Sequence, residues 1–128
     1  MTRLLLVALG GAIGASARYG LGVWAYRLAP NAVWPWPTFA ANVIGGFLMG
    51  LLAAALALRG GAHQDMIRLF AAVGVLGGFT TFSAFSVEVA LMVERRQYAL
   101  AGGYVILSVV LAMAATFGGI MLMRRVLS

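Results

Sequence analysis

Hydrophobic and polar positions divide this chain into four long apolar runs separated by short polar turns. Leu4–Tyr26 is interrupted only by Arg18, while Phe39–Leu58, Leu69–Val87 and Tyr98–Met123 carry no charge. Each run is near or above the roughly 20 residues that cross a hydrocarbon core of about 30 Å. Membrane-spanning strands would be about half as long and would alternate in polarity. The pattern therefore predicts an all-α integral membrane protein, with four transmembrane helices over approximately 4–26, 39–58, 68–93 and 98–123 in one domain, 1–128. Between the first two helices, Pro30, Pro35 and Pro37 predict an irregular connector, with Trp34 and Trp36 at headgroup depth. Residues 59–66 form a polar Gly-rich turn, and 94–97 (Glu-Arg-Arg-Gln) another.

Composition points the same way. Hydrophobic residues make up 63% and charged residues 9%, against about 25% charged in a soluble domain. With no cysteine there are no disulfides and no thiolate chemistry, and the single histidine, His63, leaves little for metal catalysis. An enzyme is not the reading. The net charge of +6 reflects nine arginines and no lysine. They fall mainly at helix ends, which reads as anchoring and topology information and not as a nucleic-acid interface. Arg3, Arg59, Arg68, Arg124 and Arg125 share one side of the membrane, and Arg27, Arg95 and Arg96 the other. So small an excess is compatible with a modest N-in preference or with insertion in both orientations. Arg3 and the stretch Ala15-Ser16-Ala17 also have the form of a cleaved signal peptide. Gly10, Gly11 and Gly14 argue instead for a packing face. The pairs Gly10/Gly14, Gly46/Gly50 and Gly74/Gly78 let backbones approach closely, and so many in a short chain predict a homo-oligomer.

Polar groups within the spans are the candidates for chemistry. Arg18 lies inside the first run, where a charge costs ~2.5–3.5 kcal/mol near the centre. It either snorkels to the interface or lines an aqueous vestibule that attracts anions. Asn42 has two amide donors and serves either a pathway or helix packing. On the fourth run Tyr104, Ser108 and Thr116 fall on roughly one face, although such hydroxyls also bond their own helix. In the third run, Gly77 and Gly78 each cost about 1 kcal/mol of helix relative to Ala. A break at Gly77–Thr80 would free carbonyl oxygens that cannot face lipid and that suit a small hard cation. Phe82 and Phe85 share a helix face, and their positive ring edges beside hydroxyl and amide donors can solvate an anion. No carboxylate sits in the middle of a run; Glu88, late in the third, reaches toward the interface. A path without acids suits an anion better than a proton-coupled cation.

These residues carry a resemblance. Gly10-Gly11-Ala12-Ile13-Gly14-Ala15-Ser16-Ala17-Arg18-Tyr19, Thr38-Phe39-Ala40-Ala41-Asn42-Val43-Ile44-Gly45-Gly46-Phe47 and Gly77-Gly78-Phe79-Thr80-Thr81-Phe82-Ser83-Ala84-Phe85-Ser86 occur in order. Together they resemble the motifs of the CrcB/Fluc fluoride channels over nearly the whole chain. The resemblance implies a multi-pass protein of the bacterial cytoplasmic (inner) membrane, assembled as an antiparallel dual-topology homodimer that exports fluoride. It implies a central structural sodium ion (Na+) held by carbonyls at Gly77 and Thr80 of each subunit. It further implies a fluoride path past Asn42, Thr81, Phe82, Ser83, Phe85, Tyr104 and Ser108, with Arg18 in the vestibule. The sequence departs from the family at Ala84, where a threonine is usual, and loses one hydroxyl there. The expected mechanism is passive electrodiffusion, in which donors and ring edges replace fluoride's water. A proton-coupled multidrug exporter would want a carboxylate in the first helix, which has Arg18 and no acid. A non-transporting membrane subunit would need neither a helix break nor a polar stripe.

Overall fold

In the computed structural model, which describes residues 1–128, every regular element is helical. Helix α1 covers Thr2–Leu28 and α2 covers Trp36–Arg59. The third span, Gln64–Glu94, is composite. It opens with a short turn, α3 (Gln64–Ile67), and continues as a π-helix over Arg68–Leu76 and as α4 (Gly77–Phe79). It resumes as α5 at Ser83–Glu94. The last helix, α6, runs from Tyr98 to Leu127. Four spans are long and apolar enough to cross a membrane.

Pro37 sits in the first turn of α2, where a missing N–H costs nothing because that donor has no helical acceptor. The irregular connector is consequently shorter than the prolines alone suggest. At the other side of the membrane, Asp65 pairs with Arg3 at 2.6 Å and with Arg68 at 2.9 Å. These contacts tie the start of α1 to the start of the third span.

Packing is organised by glycine. Helix α1 lies along the π segment and α4, and α2 lies along α6. A Cβ on Gly10 would stand 2.9 Å from the Cα of Gly74, and one on Gly14 would stand 2.8 Å from the Phe79 nitrogen. The wide π winding turns the carbonyls of Phe70 and Val75 toward these two glycines. Along the other seam, a Cβ on Gly50 would lie 3.1 Å from the Ile120 nitrogen. Such spacing excludes any side chain and brings backbone against backbone.

One expectation is corrected here. Gly77 and Gly78 do not interrupt the helix. Gly77 has φ −63 and ψ −38, and a Cβ on Gly78 would meet the Gly11 carbonyl oxygen at 2.7 Å. Gly78 serves contact with α1, and the chain leaves helical geometry only at Thr80, whose ψ is 157. Trp34, on the connector, packs back onto the helices. Its ring packs edge-on against Phe39 and Tyr104, with centroids 5.3 and 5.2 Å away.

Only 14 of 128 residues are buried within the single chain. The exposed remainder is rich in large apolar side chains, among them Leu5, Ile13, Ile106, Val110 and Phe117. Water is a poor solvent for such a surface, which needs lipid or another protein around it.

Candidate functional site

The site is built where the third span passes α2 and α6. Thr80 ends α4 with its N–H on the Leu76 carbonyl at 3.0 Å, and its hydroxyl donates to the same oxygen at 2.9 Å. Its methyl group rests on Gly45 of α2, at a place where a Cβ would collide with it. Residues 80–82 lie outside the helices, and at Thr81 the side chain of Asn42 supplies the hydrogen bonds that a helix would. The Thr81 N–H donates to Asn42 Oδ1 at 2.8 Å, and Asn42 Nδ2 donates to the Thr81 carbonyl at 2.9 Å. Thr81 Oγ1 accepts the Ala84 N–H at 3.1 Å, which serves the first turn of α5 as a cap would. Neither the Gly77 nor the Thr80 carbonyl receives a donor from the chain.

Beside this segment lies an open cleft of about 450 Å³. Asn42, Thr81, Phe82, Phe85 and Ser108 line it, together with Gly77 and Thr80. Val109 and Ala112 complete the α6 wall; both were invisible as site residues because nothing distinguishes an apolar wall residue from ordinary span. No charged group lines the cleft. Phe82 projects outward and is 79% exposed, with its ring 5.8 Å from that of Phe85. Phe85 in turn stands 5.0 Å from Tyr104, which is fully buried.

Three predicted residues lie elsewhere. Ser83 does not line the cleft, and its hydroxyl shares a 3.3 Å hydrogen bond with Thr81 Oγ1. Tyr104 lies behind Phe85, with its hydroxyl donating to Glu88 Oε1 at 2.8 Å. Arg18 lines a separate cleft of about 570 Å³ that also holds Tyr19, Tyr26 and Arg27. Its Nε donates to the Gly78 carbonyl at 3.4 Å.

Glu88 is the residue the sequence placed least well. It turns inward, where Thr38 Oγ1 donates to its second oxygen at 2.8 Å. Being the sole acid flanked by apolar sequence in the third span was the available signal. Thr116, grouped with Tyr104 and Ser108 by spacing, serves packing, and its hydroxyl reaches the carbonyls of Ala112 and Gly46 at 2.9 and 3.0 Å. The Ser108 hydroxyl is buried and has no partner.

Comparison with known proteins places the whole chain in one family. The family described as CrcB-like protein, Camphor Resistance (CrcB), matches residues 5–120. A fluoride-specific ion channel of Phenylobacterium zucineum is 63% identical over 127 residues, covering 98% of both chains. One from Caulobacter sp. strain K31 is 59% identical over 128 residues, 100% of this chain and 99% of the relative. A third, from Caulobacter vibrioides, is 53% identical over 126 residues and 98% of both. With the motifs, the spans and the match all extending over nearly its full length, the chain belongs to the CrcB-like family.

Proposed function

We propose that this protein is a fluoride-selective channel of the bacterial inner membrane, through which cytosolic fluoride leaves by passive electrodiffusion. The observation that carries this reading is the cleft between the broken third span and α6. It is uncharged, lined by amide and hydroxyl groups, and bordered by two phenylalanine rings. Full-length relatives named as fluoride-specific channels support it.

Fluoride is small and strongly hydrated, so a path for it must supply donors as water is shed. Asn42 spends one N–H on Thr81 and has a second to offer. The Thr81 hydroxyl, the Ser108 hydroxyl and the positive edges of Phe82 and Phe85 supply the rest. None of these is a fixed cation, so the ion is held weakly enough to leave. Arg18 and Arg27 in the neighbouring cleft raise the local potential and attract anions to the entrance.

A proton-coupled exporter is disfavoured by Glu88. Both of its oxygens are occupied by hydroxyl donors, and it stands outside the cleft.

The family also implies a structural sodium ion, and the residues fit it. No group of three His, Cys, Asp or Glu side chains gathers anywhere in the chain, so a cation would depend on backbone oxygens. The carbonyls of Gly77 and Thr80 have no donor from the chain, and such oxygens suit a hard cation. When bound, the ion would fix the non-helical segment and add positive potential. Two carbonyls from one chain are too few, which supports an antiparallel homodimer that brings the same pair from a second copy. Phe82, exposed on one chain, would then border a path completed at the dimer surface. Labelling single cysteines placed at 59–66 from each side of the membrane tests the topology: labelling from one side alone rules out dual insertion.

The primary experiment is efflux from liposomes, read with a fluoride electrode alongside chloride. Fast fluoride loss without chloride loss, slowed by Phe82→Ile, is the expected result. A folded protein in sodium buffer that releases no fluoride overturns the reading.

A further inference from the structure

The connector between α1 and α2 folds around a cavity of about 220 Å³. Tyr26, Trp34 and Trp36 line it with rings, and Pro30, Pro35 and Pro37 complete much of its wall. The Trp34 and Trp36 rings stand 6.2 Å apart, inclined at 51°. No charged side chain lines the hollow. Helix α1 ends at Leu28 and α2 begins at Trp36, so the hollow lies at the headgroup level of the bilayer. Tryptophan and tyrosine are common at that depth, but here three of them surround one space.

Such a wall selects a cation of one kind. Aromatic faces attract cations, but a primary ammonium brings three N–H donors that need acceptors. The carbonyls of Ala25, Ala29, Trp34 and Pro35 are already taken by the N–H groups of Ala29, Ala32, Trp36 and Phe39. A quaternary ammonium has no N–H and offers the rings only methyl groups. The adjoining cleft, about 570 Å³, has the opposite character, because Arg18 and Arg27 line it. Gly22, Tyr26 and Pro37 belong to both walls, so a single tyrosine separates the aromatic hollow from the guanidinium groups. Arg18 gives its Nε–H to the Gly78 carbonyl. The two ion pairs of the chain join Asp65 to Arg3 and to Arg68 and leave Arg27 without a carboxylate.

We propose that these two neighbouring spaces seat one zwitterionic phospholipid headgroup of the phosphocholine type, its trimethylammonium in the aromatic hollow and its phosphate on Arg27. An anionic headgroup would use Arg27 and leave the hollow without a cation. A lipid fits better than a soluble ester, because the cleft continues from Tyr26 past Val23 to Tyr19, about two turns of α1 toward the acyl chains. The site stands apart from the cleft that Asn42 and Phe82 line, and it does not depend on the channel reading.

The test is native mass spectrometry of the full chain, released from detergent with equal amounts of dioleoyl phosphatidylcholine, phosphatidylethanolamine and phosphatidylglycerol. Phosphatidylcholine is expected to be retained roughly tenfold more tightly than the other two. Trp36→Leu and Tyr26→Leu, at rings 49% and 68% exposed, are expected to erase its advantage over phosphatidylethanolamine. Arg27→Gln is expected to weaken retention of both lipids, whereas Arg95→Gln, an arginine outside both walls, changes neither. Equal retention of all three lipids, or a preference for phosphatidylglycerol, overturns the proposal; the arginines would then be an ordinary basic patch. A preference for phosphatidylcholine that survives both ring variants overturns it as well. Glycerophosphocholine, the headgroup without acyl chains, is expected not to displace the lipid at equal concentration; displacement would make the ligand a soluble ester and overturn the lipid assignment. If Trp36→Leu loses its helical circular dichroism, Tyr26→Leu decides. None of these measurements involves fluoride, so their failure leaves the channel reading intact.

Discussion

Asn42 and Thr81, 39 residues apart, exchange two hydrogen bonds in the manner of paired peptide groups, N–H to Oδ1 and Nδ2–H to carbonyl. One side chain on α2 thus replaces the helical bonding that the third span lacks at this point. Removing it affects conduction and folding together. Asn42→Ala leaves the Thr81 amide and carbonyl without partners, at a cost of about 1–3 kcal/mol each when buried. Asn42→Asp keeps the acceptor for the Thr81 N–H but replaces the donor with an anion. We expect both variants to lose fluoride efflux, with Asp retaining more thermal stability than Ala in detergent. Liposome efflux beside melting curves reads the two effects separately.

Glycines along the helices are not equivalent. Gly14→Ala drives a methyl to 2.8 Å from the Phe79 nitrogen, and backbone there cannot move aside. A loss of about 1–3 kcal/mol is expected from such overpacking. A Cβ on Gly102 meets nothing within 4 Å, so Gly102→Ala should stabilise α6 by up to about 1 kcal/mol. Unfolding in denaturing detergent checks the opposite signs.

Glu88 links three elements through Thr38 and Tyr104. Tyr104→Phe keeps the ring that stacks on Phe85 but leaves one carboxylate oxygen without its donor. We expect a loss of about 1.5–3 kcal/mol, the range for a hydrogen bond to a charged group. Glu88→Gln made in addition should cost less than the sum of the two single changes, with a coupling of about 0.5–3 kcal/mol. Equilibrium unfolding of the four proteins in the cycle measures it.

Arg96 closes α5 in a left-handed conformation, φ 61. Its N–H donates to Val93 at 3.0 Å, and that of Gln97 donates to Met92 at 2.9 Å, the pair of bonds that ends a helix at a glycine. Arg96→Gly should therefore stabilise the fold by about 1 kcal/mol while removing one cation from that face. A higher melting temperature is the expected readout.

The spans were legible because hydropathy is a local property and a bilayer imposes their length. Side-chain partnerships were not. Nothing near Asn42 in sequence points to Thr81, and the inward turn of Glu88 depends on the helical phase set after residues 80–82. Gly78 illustrates a different limit. A missing Cβ permits both a helix break and close helix contact, and only a neighbour such as Gly11 tells which is in use. The packing of the Trp34 ring on Tyr104, 70 residues away, left no trace in the sequence around either residue.

The two glycine seams have a mechanical consequence. The third span up to Phe79 is held by α1, and α5 beyond it packs on α6, which is itself joined to α2. The third span thus changes its packing partner across residues 80–82, and a bilayer that compresses or stretches the bundle loads that joint. Membrane thickness, which acts on spanning helices with a modest cost per ångström of mismatch, becomes a control on the ion path. Fluoride efflux in vesicles of graded acyl-chain length should pass through an optimum, a property that no residue of the path would reveal alone.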